Sequence, residues 1–195
     1  MMKHALIGLT LLATMLACGG GGGGGGSSSG SATPTLAFTT TATDDEYRFV
    51  KDTTLSTDTR LVLDLLGPSG VSARGVAVFL SADTGKVTWV NPATGSATGS
   101  LIVVGTQFNA GSSPVFAADK SSDKILQAGV FQKGGSAATC DGKSIILSVA
   151  LALKSGAAAG SVTFGAVGTR SIALSGDNPG VVKTLAINCG TVSVE

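Results

Sequence analysis

Apolar and polar positions alternate along most of the chain beyond residue 36. Leu61, Leu63 and Leu65 alternate with Val62, Asp64 and Leu66, and the turn GPSG (67–70) follows. Val76, Val78 and Leu80 alternate with Ala77 and Phe79; ADTGK makes the next turn and KVTWV the next strand. The clearest stretch is 145–153. Ile145, Leu147, Val149, Leu151 and Leu153 face one way, and Ile146, Ser148, Ala150 and Ala152 the other. Large residues on one side and small on the other is period two, the signature of a half-buried strand. Val162, Phe164 and Ala166 repeat it, Leu185, Ile187 and Cys189 continue it, and Val192 and Val194 suit a last short piece. KSGAAAG (154–160) has room for one helical turn. Short strands separated by Gly, Asn, Asp and Ser turns predict an all-β fold, a single sandwich or jelly roll. Its length, about 160 residues, is that of one domain.

The first 35 residues follow a different pattern. Lys3 and His4 precede an apolar run from Ala5 to Ala17, the layout of a secretory signal. The run is shorter than the ~20 residues of a spanning helix. Met15-Leu16-Ala17-Cys18 resembles the bacterial lipobox, with Met15 and Leu16 departing from its commonest residues. A single thiol at the mouth of eight glycines, 19–26, has no structural use, so Cys18 is expected to carry lipid. Stable anchoring takes more than one acyl chain. Gly19 after the cysteine suits the outer-membrane-directed case. The Gly/Ser run to residue 31 is expected to be a flexible tether with a reach of roughly 20 Å. The expected organisation is a lipoprotein signal at 1–17, lipidated Cys18 and tether at 18–35, and the sandwich at 36–195.

Charge and candidate chemistry narrow the function. Removal of Lys3 with the signal leaves basic and acidic side chains equal in number. No basic stripe marks the chain for nucleic acid. Cys140 and Cys189 remain as an even pair in an exported chain, and a disulfide between them is expected. It would close a loop of about fifty residues, for about 4 kcal/mol in the chain-entropy treatment. The only histidine, His4, leaves with the signal, which removes Ser-His-Asp, Cys-His and histidine-zinc chemistry. GSSSG (26–30) matches the nucleophile-elbow pattern but lies in the tether with no strand before it. Loop oxygens at 44–46, Asp119, Asp123, Asp177 and Asn178 lack calcium-loop spacing and read as turn residues. No catalytic residue, metal or cofactor is assigned.

Residues from about 58 onward resemble the cohesin-like family of carbohydrate-binding-domain-like β-sandwiches. TRLVLDLLGPSGVSARGVAVFLSADTGKVTWVN is similar to the family's opening, with Asp83 at its post-strand aspartate, although Thr84 stands where the family usually has proline. KILQAGVFQ, SIILSVALAL and KSGAAAGSVTFGAVG follow in the family's order. The resemblance implies a non-enzymatic envelope module that binds a protein partner, dockerin-like in the family proper. A polysaccharide-binding module is the alternative, and its platform would be Trp89, the sole tryptophan. A structural or assembly component of the envelope is the third reading. Trp89 shares a face with Val87, and the seven phenylalanines, Phe79 and Phe131 among them, read as core.

Overall fold

The computed structural model describes residues 33–108, 115–122, 124–132, 137–178 and 180–195. Cys18, the glycine run and His4 therefore lie outside the described residues. Residues Thr33–Glu195 form one compact unit.

The chain runs through β1 (Leu36–Thr39), β2 (Tyr47–Lys51), β3 (Arg60–Leu66), β4 (Ser72–Ala82), β5 (Val87–Val90) and β6 (Ile102–Val104). It continues with β7 (Val115–Ser122), β8 (Ile125–Gln132), β9 (Ala138–Thr139), β10 (Ile145–Leu153), β11 (Gly160–Val162) and β12 (Phe164–Ala166). The last elements are β13 (Ile172–Ser175), β14 (Val182–Thr184), β15 (Ile187–Asn188) and β16 (Thr191–Val194). No helix occurs among the described residues; KSGAAAG forms a turn closed by the Ala157 N–H to Lys154 carbonyl bond at 3.1 Å.

Two large sheets face each other. The first has the order β15-β2-β3-β10-β5, with β6 also on β10. The second has the order β14-β13-β4-β8-β7, with β9 and β12 also on β4. A third, small sheet, β1-β16-β11, joins the chain ends: Thr35 and Glu195 exchange two backbone hydrogen bonds of 2.9 Å. All pairings are antiparallel except β15 with β2.

The leucine alternation dictates the core. Phe49, Leu61, Leu63, Leu65, Leu147, Val149 and Leu151 point inward from the first sheet and are fully buried. Val76, Val78, Leu80, Leu126 and Val130 meet them from the second. Burying each such side chain stabilises the fold by about 1.5–3 kcal/mol before entropy is charged. Two expected phases change. A bulge lies between Ile145, opposite Leu66, and Leu147, opposite Leu65. Ile146 is the extra residue and turns into the core instead of facing outward. The stretch 162–166 is not one strand: β11 pairs with β16, then the chain switches sheets at Thr163 and β12 pairs with β4.

The expected Cys140–Cys189 bridge does not form, and both thiols are free. Cys140 is buried against Gly67 and Ile146, tied by its N–H to the Val71 carbonyl. Burial, then the neighbouring Asp141, pushes its pKa up to about 11. Cys189 follows β15 at the edge of the first sheet, where its Sγ donates to the Ile187 carbonyl at 3.7 Å. Sequence arithmetic counted two thiols; the topology gives each its own surroundings.

The first sheet's outer face is covered by its own chain. Leu55, from the loop after β2, packs on Val62, Val90 and Ala150. Asp52 holds that loop by accepting from the N–H groups of Thr54 (2.7 Å) and Leu55 (2.9 Å). Beside it the buried Asp64 accepts a hydrogen bond from Ser148 Oγ at 2.6 Å. Burial raises the Asp64 pKa above its ordinary 3.8; the Ser148 bond opposes this and the Asp52 charge adds to it. A carboxyl whose folded pKa is raised binds more protons folded than unfolded, so it favours the fold below the unfolded value and loses that contribution as pH rises through the folded one. Urea midpoints should therefore fall less between about pH 4 and pH 7 in Asp64→Asn than in the wild type. Equal slopes would remove Asp64 as the source.

Candidate functional site: the outer face of the second sheet

The same alternation that buries Val76, Val78 and Leu80 turns Ala77, Phe79 and Ser81 outward, and β8 turns Gln127, Gly129 and Phe131 the same way. Register lines these residues up in rows across the strands. One row runs Lys120, Gln127, Phe79. The next runs Ala118, Gly129, Ala77, Ile172, Thr184. A third runs Phe131, Gly75, Leu174, Val182. The middle row is built mostly of small residues, so it is a trough between two taller rows. A shallow depression of about 260 Å³ lies there, with Ala77, Phe79, Asp119, Lys120, Gln127 and Phe131 among its lining residues.

Two local devices fix its aromatic rings. The Phe131 ring lies over glycines: a Cβ at Gly75 would collide with it, and one at Gly129 would stand 2.7 Å from its edge. Glycine here is required by close approach, a cross-strand aromatic covering backbone that lacks a side chain. Phe79 sits where β4 passes from pairing with β13 to pairing with β12. There its carbonyl accepts from the Val167 N–H at 2.8 Å, and its N–H donates to the fully buried Ser171 Oγ at 3.0 Å. The turn so held, with Gly168 at φ 52°, places the Arg170 guanidinium 4.5 Å from the Phe79 ring centroid. That is cation–π distance.

Trp89, the expected sugar platform, is not on a surface. It is 4 % exposed and packs against Phe164 at 6.3 Å between ring centroids, while Phe164 meets Phe49 edge-on at 5.5 Å. Its position in β5 opposite Leu151 points it into the sandwich. Among the described side chains of the second sheet, the outward aromatics are Phe79 and Phe131, both read from the sequence as core. The sequence held the signal that contradicts this: Phe79 is out of phase with Val78 and Leu80, and Phe131 with Leu126 and Val130.

The candidate oxygen ligands scatter into local bonds. Asp44 pairs with the buried Arg48 at 2.5 Å, and Asp45 accepts from Thr43. Asp119 accepts from Ser100 Oγ (2.6 Å) and the Leu101 N–H (2.9 Å). Asp177 and Asn178 are exposed turn residues, and Asp123 lies outside the described residues. Among the described residues no three His, Cys, Asp or Glu side chains gather where a metal could bind.

A larger groove, about 480 Å³, opens at one end of the sandwich between Tyr47, Val71, Leu174 and Lys183. Tyr47 at its wall has a pKa pushed up to about 12, by burial first and Cys140 second. Its walls mix Asp45 and Glu46 with Lys183, and Glu46 already accepts from Asn188 at 3.1 Å. The patterned sheet face is the better-organised surface.

No family model matches the sequence, and no curated protein does. Solved structures do. A type II cohesin of Bacteroides cellulosolvens matches with a TM-score of 0.57 at 11% identity, over 76% of this chain and 97% of its own. A type II cohesin from the adaptor scaffoldin of Acetivibrio cellulolyticus gives 0.55 at 14%, over 75% and 95%. A third, from a cohesin–X–dockerin complex of the same organism, gives 0.55 at 13%, over 74% and 95%. The domain is cohesin-like in fold. At these identities the likeness is one of architecture, and the surface of this cohesin-like domain has to be read from its own residues.

The Phe131–glycine contact yields a coupled prediction. Gly75→Val, with no room beneath the ring, should destabilise the domain by about 1–3 kcal/mol in urea unfolding. Adding Phe131→Ala should recover part of that loss, so that the double variant loses less than the sum of the single losses. Simple additivity would mean that the ring does not lie over Gly75.

Proposed function

We propose that this chain is a non-catalytic envelope lipoprotein whose cohesin-like sandwich binds a protein partner through the outer face of the second sheet. The observation that carries the reading is the contrast between the two outer faces. The first is covered by Leu55 and its loop, whereas the second presents Phe79, under the Arg170 guanidinium, together with Phe131, Ile172 and Leu174, all half-buried. Half-buried aromatics on an ordered sheet are anchors of the kind that dominate protein interfaces. The fold supports the reading, since one of the similar cohesins was crystallised in a complex with an X-dockerin partner. The polysaccharide alternative loses its expected platform with the burial of Trp89.

The anchor rests on the sequence. The signal-like run 1–17, the lipobox-like Met15-Leu16-Ala17-Cys18 and the Gly/Ser run after it support export, acylation of Cys18 and tethering to the outer membrane.

Two experiments test these halves. A photo-crosslinking residue at Gln127 in the cell-expressed chain should give a protein adduct, and one at Lys51 on the first sheet should not. Phe131→Asp should remove the Gln127 adduct. Adducts only from Lys51 would place the interface elsewhere, and a Phe131-dependent retardation in a polysaccharide gel with no protein adduct would favour carbohydrate. Separately, Cys18→Ser should abolish incorporation of labelled palmitate and release the protein from the membrane fraction. Unchanged labelling would overturn the anchor.

A further inference from the structure

The charges on this face point to the chemistry of its partner. The three rows carry one charge, Lys120, and the turn adds Arg170; no carboxylate belongs to the rows or to that turn. The nearest acid, Asp119, lines the depression, but its carboxylate is already held by Ser100 Oγ and the Leu101 N–H. Both cations belong to one row. Lys120 is opposite Gln127 and Gln127 opposite Phe79, over which Arg170 is stacked. The row thus has a cation at each end, with β7 and β4 about 10 Å apart. Phe131, Leu174 and Val182 make the other side of the trough apolar. The face is therefore cationic along one side and apolar along the other, with small residues between.

We infer that the partner segment lies across the strands, filling the trough with apolar side chains and setting Asp or Glu residues against Lys120 and Arg170. This rests on the binding face proposed above and adds its polarity. Stacking on Phe79 holds the guanidinium in place, so a carboxylate reaching it has little side-chain entropy to overcome. Such charges at an interface act mainly on association rate and on the choice of partner.

The test pans a displayed peptide library against the full chain in detergent. The library holds apolar cores with acidic, basic or neutral flanks at equal abundance. Counter-selection uses Phe131→Asp and, as a second face-blocking variant, Ala77→Arg, each checked for an unchanged circular dichroism spectrum. Binders lost on both variants should be enriched on the order of tenfold in acidic flanks, and should weaken as salt is raised. The Lys120→Glu/Arg170→Glu double variant should shift that enrichment toward basic flanks. Face-dependent binders without acidic enrichment, or with enrichment unmoved by the double charge reversal, would overturn the inference and leave the binding face standing. Binders indifferent to both blocking variants, or no binders at all, would overturn the face as well.

Discussion

Strand β4 is the constraint on which the rest of the domain depends. Its eleven residues hydrogen-bond to β8 and β9 along one edge and to β12 and β13 along the other. Within the second sheet only β7 and β14 lack a direct bond to it. Because side chains alternate strictly along a strand, one choice of phase settles two matters together. It commits Val76, Val78 and Leu80 to the core, and it turns Ala77 and Phe79 to the outer face, with Gly75 beneath the Phe131 ring. Core and candidate interface are thus two sides of the same ladder, and neither can slip without the other.

That coupling explains what the sequence could and could not show. The period-two runs at 61–66, 76–80 and 145–153 were enough to read an all-β sandwich and most of its inward residues. The bulge at Ile146 was not legible, because an extra residue is set by how β10 meets β3 and leaves the composition of the run unchanged. Phe79 and Phe131 were legible by phase but were judged by residue type. Burial statistics favour aromatics inside, and here pairing with glycine lets a ring rest on the outside of a sheet. The free thiols show the same limit in another form, since a count of cysteines contains no distances.

The rows across β7, β8, β4 and β13 were the least readable feature. Lys120, Gln127, Phe79 and Arg170 share no motif; the register of two antiparallel pairings, with the turn that stacks Arg170 on Phe79, brings them together. A surface of this kind is written in strand order. This is why a fold can be matched to cohesins at 11–14% identity while the chemistry of its face stays particular to this chain.

The pairing of β1 with β16 bears on how the domain responds to load. A pull at Thr33 enters the sandwich first through the two Thr35–Glu195 hydrogen bonds and the 2.7 Å bond from the Leu36 N–H to the Asp58 carbonyl. Behind them stands the four-residue ladder from Leu36–Val194 to Thr39–Thr191. Tension is thus taken up by the small third sheet before it reaches the two large ones. The third sheet is the part of the sandwich that a pull at Thr33 loads first.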